Sequence, residues 1–194
     1  TSFQTSGANR SNNIVVGASR LNNLIVLPGQ TVSVSDTILP RTRANGYKEA
    51  GVYVNGAHTS GLGGGVCQIS STVYNAVKNA GLTVVQRNPH SMPVSYLPKG
   101  LDAAIAAGSK DLKFRNDYTT PVVLYTDTSN KHLTVNVLVW NQELAGRSFK
   151  LWAKQTGALS ADTYFTTYLN GKEISTQFVG TSRYNPYREA VNDD

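Results

Sequence analysis

Cysteine is nearly absent: the 194 residues hold one, Cys67, with one methionine and three histidines. A single thiol excludes an internal disulfide framework and a zinc site built mainly on thiolates. The histidines, His58, His90 and His132, are dispersed, so no metal and no cofactor is expected. No apolar run is long enough to span a bilayer, and Thr1 does not begin a signal peptide. The expectation is a mature region or ectodomain, with an upstream membrane anchor as one option. Acids are scarce in the first 115 residues, where Asp36, Glu49, Asp102 and Asp111 face eleven Lys or Arg, a balance of +7. Residues 116–194 carry −1. That asymmetry points to an anionic partner, or to no more than a solubilising charge. The basic residues are scattered singly without interleaved aromatics, which argues against nucleic acid and for an anionic cell-wall polymer such as peptidoglycan. Also missing are the Lys-Ser/Thr of a phosphate-binding loop, a His/Glu metalloprotease helix and a close carboxylate pair.

What is present reads as one α+β chain with a β-rich end. Residues 9–24 place Ile14, Ala18, Leu21 and Ile25 at helical spacing, with Ser11 or Asn12 as N-cap. LPGQ (27–30) suits a type II turn, and TVSVSDTIL (31–39) alternates like a strand. Residues 40–60 read as a long loop in which VNG (54–56) forms a tight turn. Beyond Cys67, Ile69, Val73, Ala76, Val77 and Ala80 trace one helical face that Gly81 ends. LTVVQ (82–86) and DLKFRN (111–116) are strands, and GLDAAI (100–105) is expected to run beside the segment leading to His90. From residue 121 the pattern is all-β, with hairpins at TSN (128–130) and Asn170-Gly171. The division expected is a core over 1–118 and a β-rich region over 119–194 continuous with the core sheet. Its tail, 185–194, is expected to be loosely held.

The sole thiol stands where Gly63, Gly64 and Gly65 give way to a helix. Helix N-termini offer unpaired N–H groups and partial positive charge, which favour the reactive thiolate and can hold an oxyanion. The glycines would let backbone approach a substrate. A cysteine nucleophile needs a base and a group to orient that base. His90 follows the strand after the helix and is the favoured base, with His58 still open and His132 given a surface or packing role. Asp102 is the favoured acid over Asp111 and Asp36. Gln68 and Ser91 are candidate oxyanion or substrate contacts, although Gln68 also reads as an ordinary first-turn residue. The chain order Cys, His, Asp is that of papain-like and transglutaminase-like thiol enzymes. The competing reading is a buried cysteine that only packs, with His90 bonding backbone and Asp102 capping a turn.

GGGVCQISSTVYNAVKNAGL, RNPHSMPVSYLPKGLDAAI and DLKFRND, preceded by NRSNNIVVGASRLNNLIVLPGQTVSV and GYKEAGVYVNG, resemble the VanW family of Gram-positive bacteria over roughly residues 3–125. Departures are mild: the strand after the helix ends in RNPH, and Ala104 stands where a β-branched residue is more usual. The resemblance implies an extracellular or wall-associated protein with a link to glycopeptide resistance, and it makes Cys67, His90 and Asp102 the matched positions. The expected function is a cell-surface thiol enzyme acting on peptide or isopeptide bonds of peptidoglycan, as hydrolase or transpeptidase. The alternatives are a non-catalytic wall-binding or scaffolding module, and a C-terminal sheet that docks partners.

Overall fold

The computed structural model describes residues 1–54 and 57–187, and excludes the side chains of residues 53–58. The elements run α1 (Ala8–Ser19), β1 (Leu24–Val26), β2 (Thr31–Ser33), α2 (Val34–Thr37), β3 (Glu49–Val54), β4 (Ala57–Leu62) and α3 (Val66–Asn79). There follow β5 (Thr83–Gln86), β6 (Lys113–Arg115), β7 (Val122–Asp127), β8 (Thr134–Leu138) and α4 (Asn141–Leu144). β9 (Arg147–Gly157), β10 (Ser160–Leu169) and β11 (Lys172–Arg183) complete them. Every strand pairing among the described residues is antiparallel: β1-β7-β8, β2-β6-β5, the β3-β4 hairpin, and the meander β9-β10-β11. The α+β class follows.

α3 is the buried spine. Ile69, Val73, Tyr74 and Val77 are sealed from solvent, and the helix packs on α1, β5, β8 and β9. Burying such side chains contributes about 1.5–3 kcal/mol each. The helix ends as its sequence predicts. Gly81 takes φ +80°, Leu82 N–H returns to Val77 O at 3.0 Å, and Gly81 N–H to Lys78 O at 2.9 Å. This paired closure needs a left-handed residue after the last turn.

Several local expectations are corrected. α1 starts a turn earlier than a Ser11 or Asn12 cap allows; its N-cap is Gly7, and Ser11 lies inside the helix with its amide bonded to Gly7 O. It stops at Ser19, so Ile25 belongs to β1 and is largely exposed. TVSVSDTIL is a strand only to Ser33. There Ser33 Oγ accepts from Asp36 N–H (3.0 Å) and Asp111 accepts from Ser35 N–H (3.0 Å), starting α2 instead. Part of the loop expected over 40–60 is the β3-β4 hairpin; the VNG turn, at Asn55 and Gly56, falls outside the described residues. GLDAAI forms no strand. It adds one ladder-like bond, Ala104 N–H to Asn88 O at 2.7 Å, and a turn bond, Leu101 N–H to Pro98 O at 3.2 Å; side chains supply further ties.

The change of character at residue 119 is no boundary in the sheets. β7 pairs with β1 residue for residue from Val122–Val26 to Leu124–Leu24, so residues 122–138 complete a front-half sheet. Nor does β9-β10-β11 continue the core sheet. β9 meets the side of α3 rather than a strand edge, where Leu151 N–H donates to Asn79 Oδ1 (2.7 Å) and Lys78 Nζ lies 3.7 Å over the Phe165 ring. Asn170 and Gly171 turn β10 into β11 with φ of +50° and +79°, the tight hairpin expected there.

Asn13, fully buried on α1, ties three segments together. Its Nδ2 donates to Lys48 O (2.8 Å) and Gly64 O (2.9 Å), and its Oδ1 accepts from Lys48 N–H (2.7 Å). Asn13→Ala strands these buried groups and should lower the unfolding free energy by about 2–4 kcal/mol in urea titration. Asn9→Ala, which removes one exposed bond to Glu49 O, should cost below about 0.5 kcal/mol.

Candidate active site

Cys67 is the second residue of α3, aimed there by a glycine loop clamped from three sides. A Cβ on Gly64 would stand 2.6 Å from Gly51 O and 2.7 Å from Ala50 O, so β3's backbone occupies that space. On Gly63 it would meet Arg41 Cδ at 3.0 Å, and on Gly65 Arg10 Cγ at 2.9 Å. Gly63 and Gly64 are buried. The expectation that these two glycines offer open backbone to a substrate therefore does not hold; they permit close packing that fixes the loop.

The polar side of α3 carries the rest of the site. Ser70 Oγ donates to Ala103 O (2.6 Å), Ala103 N–H donates to Ser71 Oγ (2.9 Å), and Asn75 Nδ2 donates to Leu101 O (2.7 Å). One helix face thus grips residues 101–103 and seats Asp102. Asp102 is fully buried with both oxygens occupied. Oδ2 accepts from the His90 amide and pairs with His90 Nδ1, both at 2.7 Å. Oδ1 accepts from Tyr184 Oη at 2.5 Å and from Arg87 Nη2 at 3.2 Å. Arg87 also donates to Asp102 O, Gly100 O and Ser182 Oγ, and lies over the Tyr74 ring.

With Nδ1 committed to Asp102, Nε2 is the ring nitrogen left for Cys67, and thiol and imidazole are near enough for each to shift the other's titration. The thiol also donates to Ile105 O at 3.3 Å. Cys67 is a half-buried residue and the His90 side chain is 19% exposed, while the acid is sealed. Cys67, His90 and Asp102 are therefore brought together in the order expected.

Burial opposes charge on all three groups, and the local partners overcome it. Bonds from the His90 ring, Tyr184 and the His90 amide, with the charge of Arg87, hold Asp102 down at about 2. Bonds to Asp102 and Cys67, then their charges, raise His90 to about 9. Burial pushes the Cys67 thiol up, but the His90 bond and charge, the Ile105 backbone and Arg41 bring it below the usual thiol value. The arrangement favours a thiolate–imidazolium pair.

Other candidates lie elsewhere. Gln68 is fully buried and spent: Oε1 accepts from Arg10 Nη2 (2.9 Å), and Nε2 donates to Ser2 O (2.8 Å) and Thr1 Oγ1 (3.1 Å). It is a structural tie rather than an oxyanion donor. Ser91 has an exposed side chain, and its carbonyl accepts from Asn185 N–H at 2.7 Å. His132 is exposed and pairs with Asn130 O. The His58 side chain lies outside the described residues. Asp111 serves α2, and Asp36 is exposed. Sequence reasoning missed Arg87, Ser182 and Tyr184; Arg87 could have been flagged by its place three residues before His90. Only the first three residues of the tail expected over 185–194 are described. Tyr184 is buried against Asp102, and Asn185 and Tyr187 hold Ser91 O and Pro93 O, so 184–187 are pinned over the site; residues 188–194 lie outside the described residues.

A family model described as VanW like protein matches residues 9–138. The Bacillus subtilis protein YoaR is 43% identical over 124 residues, 64% of this chain and 41% of its own length. The Enterococcus faecalis vancomycin B-type resistance protein VanW is 35% identical over 114 residues, 56% of this chain and 42% of its own. The chain thus spans about two fifths of the length of the curated relatives it matches. No solved structure matches it. Arg10, Arg41, Cys67, His90 and Asp102 fall inside the span of the family model, and Ser182 and Tyr184 beyond it.

Tyr184→Phe removes one charge-assisted bond to Asp102 and should cost about 1.5–3 kcal/mol near neutral pH by denaturant titration. Asp102 is depressed, so its contribution is full above 3.8 and is lost as pH falls through about 2; the gap between wild type and variant should close over that interval. His90 is raised, so its contribution is full below 6.5 and lost as pH climbs through about 9. A proton-NMR titration should find the His90 ring near 9 and find it lower in Asp102→Asn.

Proposed function

The chain belongs to the VanW family, and from that premise we propose that it is a cell-surface thiol enzyme acting on peptide or isopeptide bonds of peptidoglycan or other cell-wall peptides. The observation that supports the reading is the His90 ring fixed by sealed Asp102 and electrostatically coupled to half-buried Cys67. A structural thiol has no need of an imidazole whose far nitrogen is fixed by a buried carboxylate. The chain order and helix-borne sulfur suit a papain- or transglutaminase-like layout. The basic front half suits an anionic wall, and a role in glycopeptide resistance rests on likeness to the relative named for it. We assign the chain to the cell exterior, with an upstream membrane anchor as an option. No helix among the described residues is long and apolar enough to cross a membrane. A VanW-like core carries the chemistry, and the β-rich C-terminal region supports it.

In this scheme the Cys67 sulfur forms a bond to the substrate carbonyl while its proton resides on His90. Asp102 holds the imidazolium in place. Among the amides at the start of α3, that of Gln68 is already bonded to Gly65 O, and we assign the oxyanion to the Cys67 amide. The C–N bond then breaks, His90 gives its proton to the departing amine, and a thioester remains. Water resolves it in hydrolysis and a second amine in transpeptidation; either returns a proton through His90 to the thiol.

Muropeptides incubated with the chain and resolved by mass spectrometry should show shortened or newly joined stems. Cys67→Ala should abolish this, and His90→Ala should reduce it about 10²–10⁴-fold. Activity should fall as pH passes about 9, where His90 loses the proton it must deliver. Iodoacetamide should label Cys67 at mildly acidic pH far faster than in the unfolded chain, and His90→Ala should move that labelling to higher pH. Peptide chemistry that survives Cys67→Ala would overturn the reading, as would a folded thiol no faster than the unfolded one.

A further inference from the structure

The relay leaves two arginines unused, and both sit on the glycine loop. The Arg41 stem covers Gly63 and the Arg10 stem covers Gly65, two residues before the reactive sulfur. The charges of both are felt at Cys67. Neither forms an ion pair among the described residues. Arg10 bonds only neutral oxygens, Ser6 Oγ and Gln68 Oε1, and its guanidinium lies 5.9 Å over the Tyr96 ring. Arg41 Nη1 and Tyr96 Oη are buried and have no hydrogen-bond partner.

Buried N–H and O–H groups are rarely left unsatisfied. The donors available are two guanidinium groups whose stems flank Gly63 and Gly65, and a phenol whose ring lies under Arg10. A carboxylate accepts from a guanidinium fork along two parallel bonds and has lone pairs left for a hydroxyl. We propose that Arg41, supported by Arg10 and Tyr96, is a carboxylate-binding subsite, so that the substrate is a peptide with a free carboxylate close to the carbonyl Cys67 attacks. The identity of the attacked bond rests on the thiol-enzyme reading; the carboxylate subsite does not.

Cys67 itself reports on the subsite. In the full chain at low ionic strength, labelling by the anion iodoacetate should saturate with concentration. Its rate relative to neutral iodoacetamide should exceed the ratio found in urea. Arg41→Gln should lower the iodoacetate rate about 10-fold or more and the iodoacetamide rate by less than about 3-fold. Arg43→Gln, a change at an exposed arginine paired with Glu49, should leave the ratio unchanged. On wild type, N-acetyl-alanine should protect Cys67 from iodoacetamide where N-acetyl-alaninamide does not, which needs no variant to fold. A native ratio equal to that in urea, equal losses with both reagents in Arg41→Gln, or equal protection by inorganic phosphate would overturn the proposal. Iodoacetate preference without any peptide chemistry would sink the enzyme reading alone; peptide chemistry without that preference would sink only the subsite.

Discussion

Asp102 is a carboxylate shut away from water, and everything near the sulfur is arranged around keeping it charged. An isolated buried carboxylate takes up a proton rather than persist as an anion. Here four donors converge on its two oxygens, supplied by the His90 ring, the His90 backbone, Arg87 and Tyr184. The backbone on either side is held independently, by the Ser70, Ser71 and Asn75 row of α3. The aspartate therefore keeps its charge, the imidazole keeps one orientation, and the thiol meets a cation instead of a neutral ring. Remove that carboxylate's support and the electrostatics of Cys67 lose their origin.

The same network explains why so much of the site is irregular chain. A strand over residues 101–105 would have spent its peptide groups on a ladder and turned alternate side chains away. Extended coil lets serine and asparagine side chains take the peptide groups while Asp102 faces inward. The glycine loop is likewise defined by what covers it: β3 backbone over Gly64, arginine stems over Gly63 and Gly65. Rigidity on both sides of the sulfur comes from packing rather than from regular structure.

Legibility tracked locality. The α3 helix, its glycine stop, the Asn170-Gly171 hairpin and the placement of Cys67 depend on neighbours a few residues apart, and their sequence patterns are faithful. His90 and Asp102 were reachable because few alternatives exist in a chain with three histidines and four acids before residue 116. Arg87 and Tyr184 were not. The Tyr184–Asp102 bond joins residues 82 apart, and nothing in RYNPY distinguishes a pinned tyrosine from a frayed end. TVSVSDTIL misled because its alternation matches a strand while Ser33 and Asp111 supply a helix start stronger than the pattern. Residue 119 looked like a boundary for a similar reason: composition changes there, but β7 returns to pair with β1, a long-range event that periodicity does not record.

The Tyr184 hydroxyl also sets an order in time. A chain made from its first residue onward carries the thiol, the imidazole and the aspartate long before the phenol that completes the carboxylate's coordination. Until β11 closes, Asp102 lacks one of its four donors, and the sulfur answers to a weaker field. The electrostatic setting of the thiol is therefore complete only once the last strand has closed.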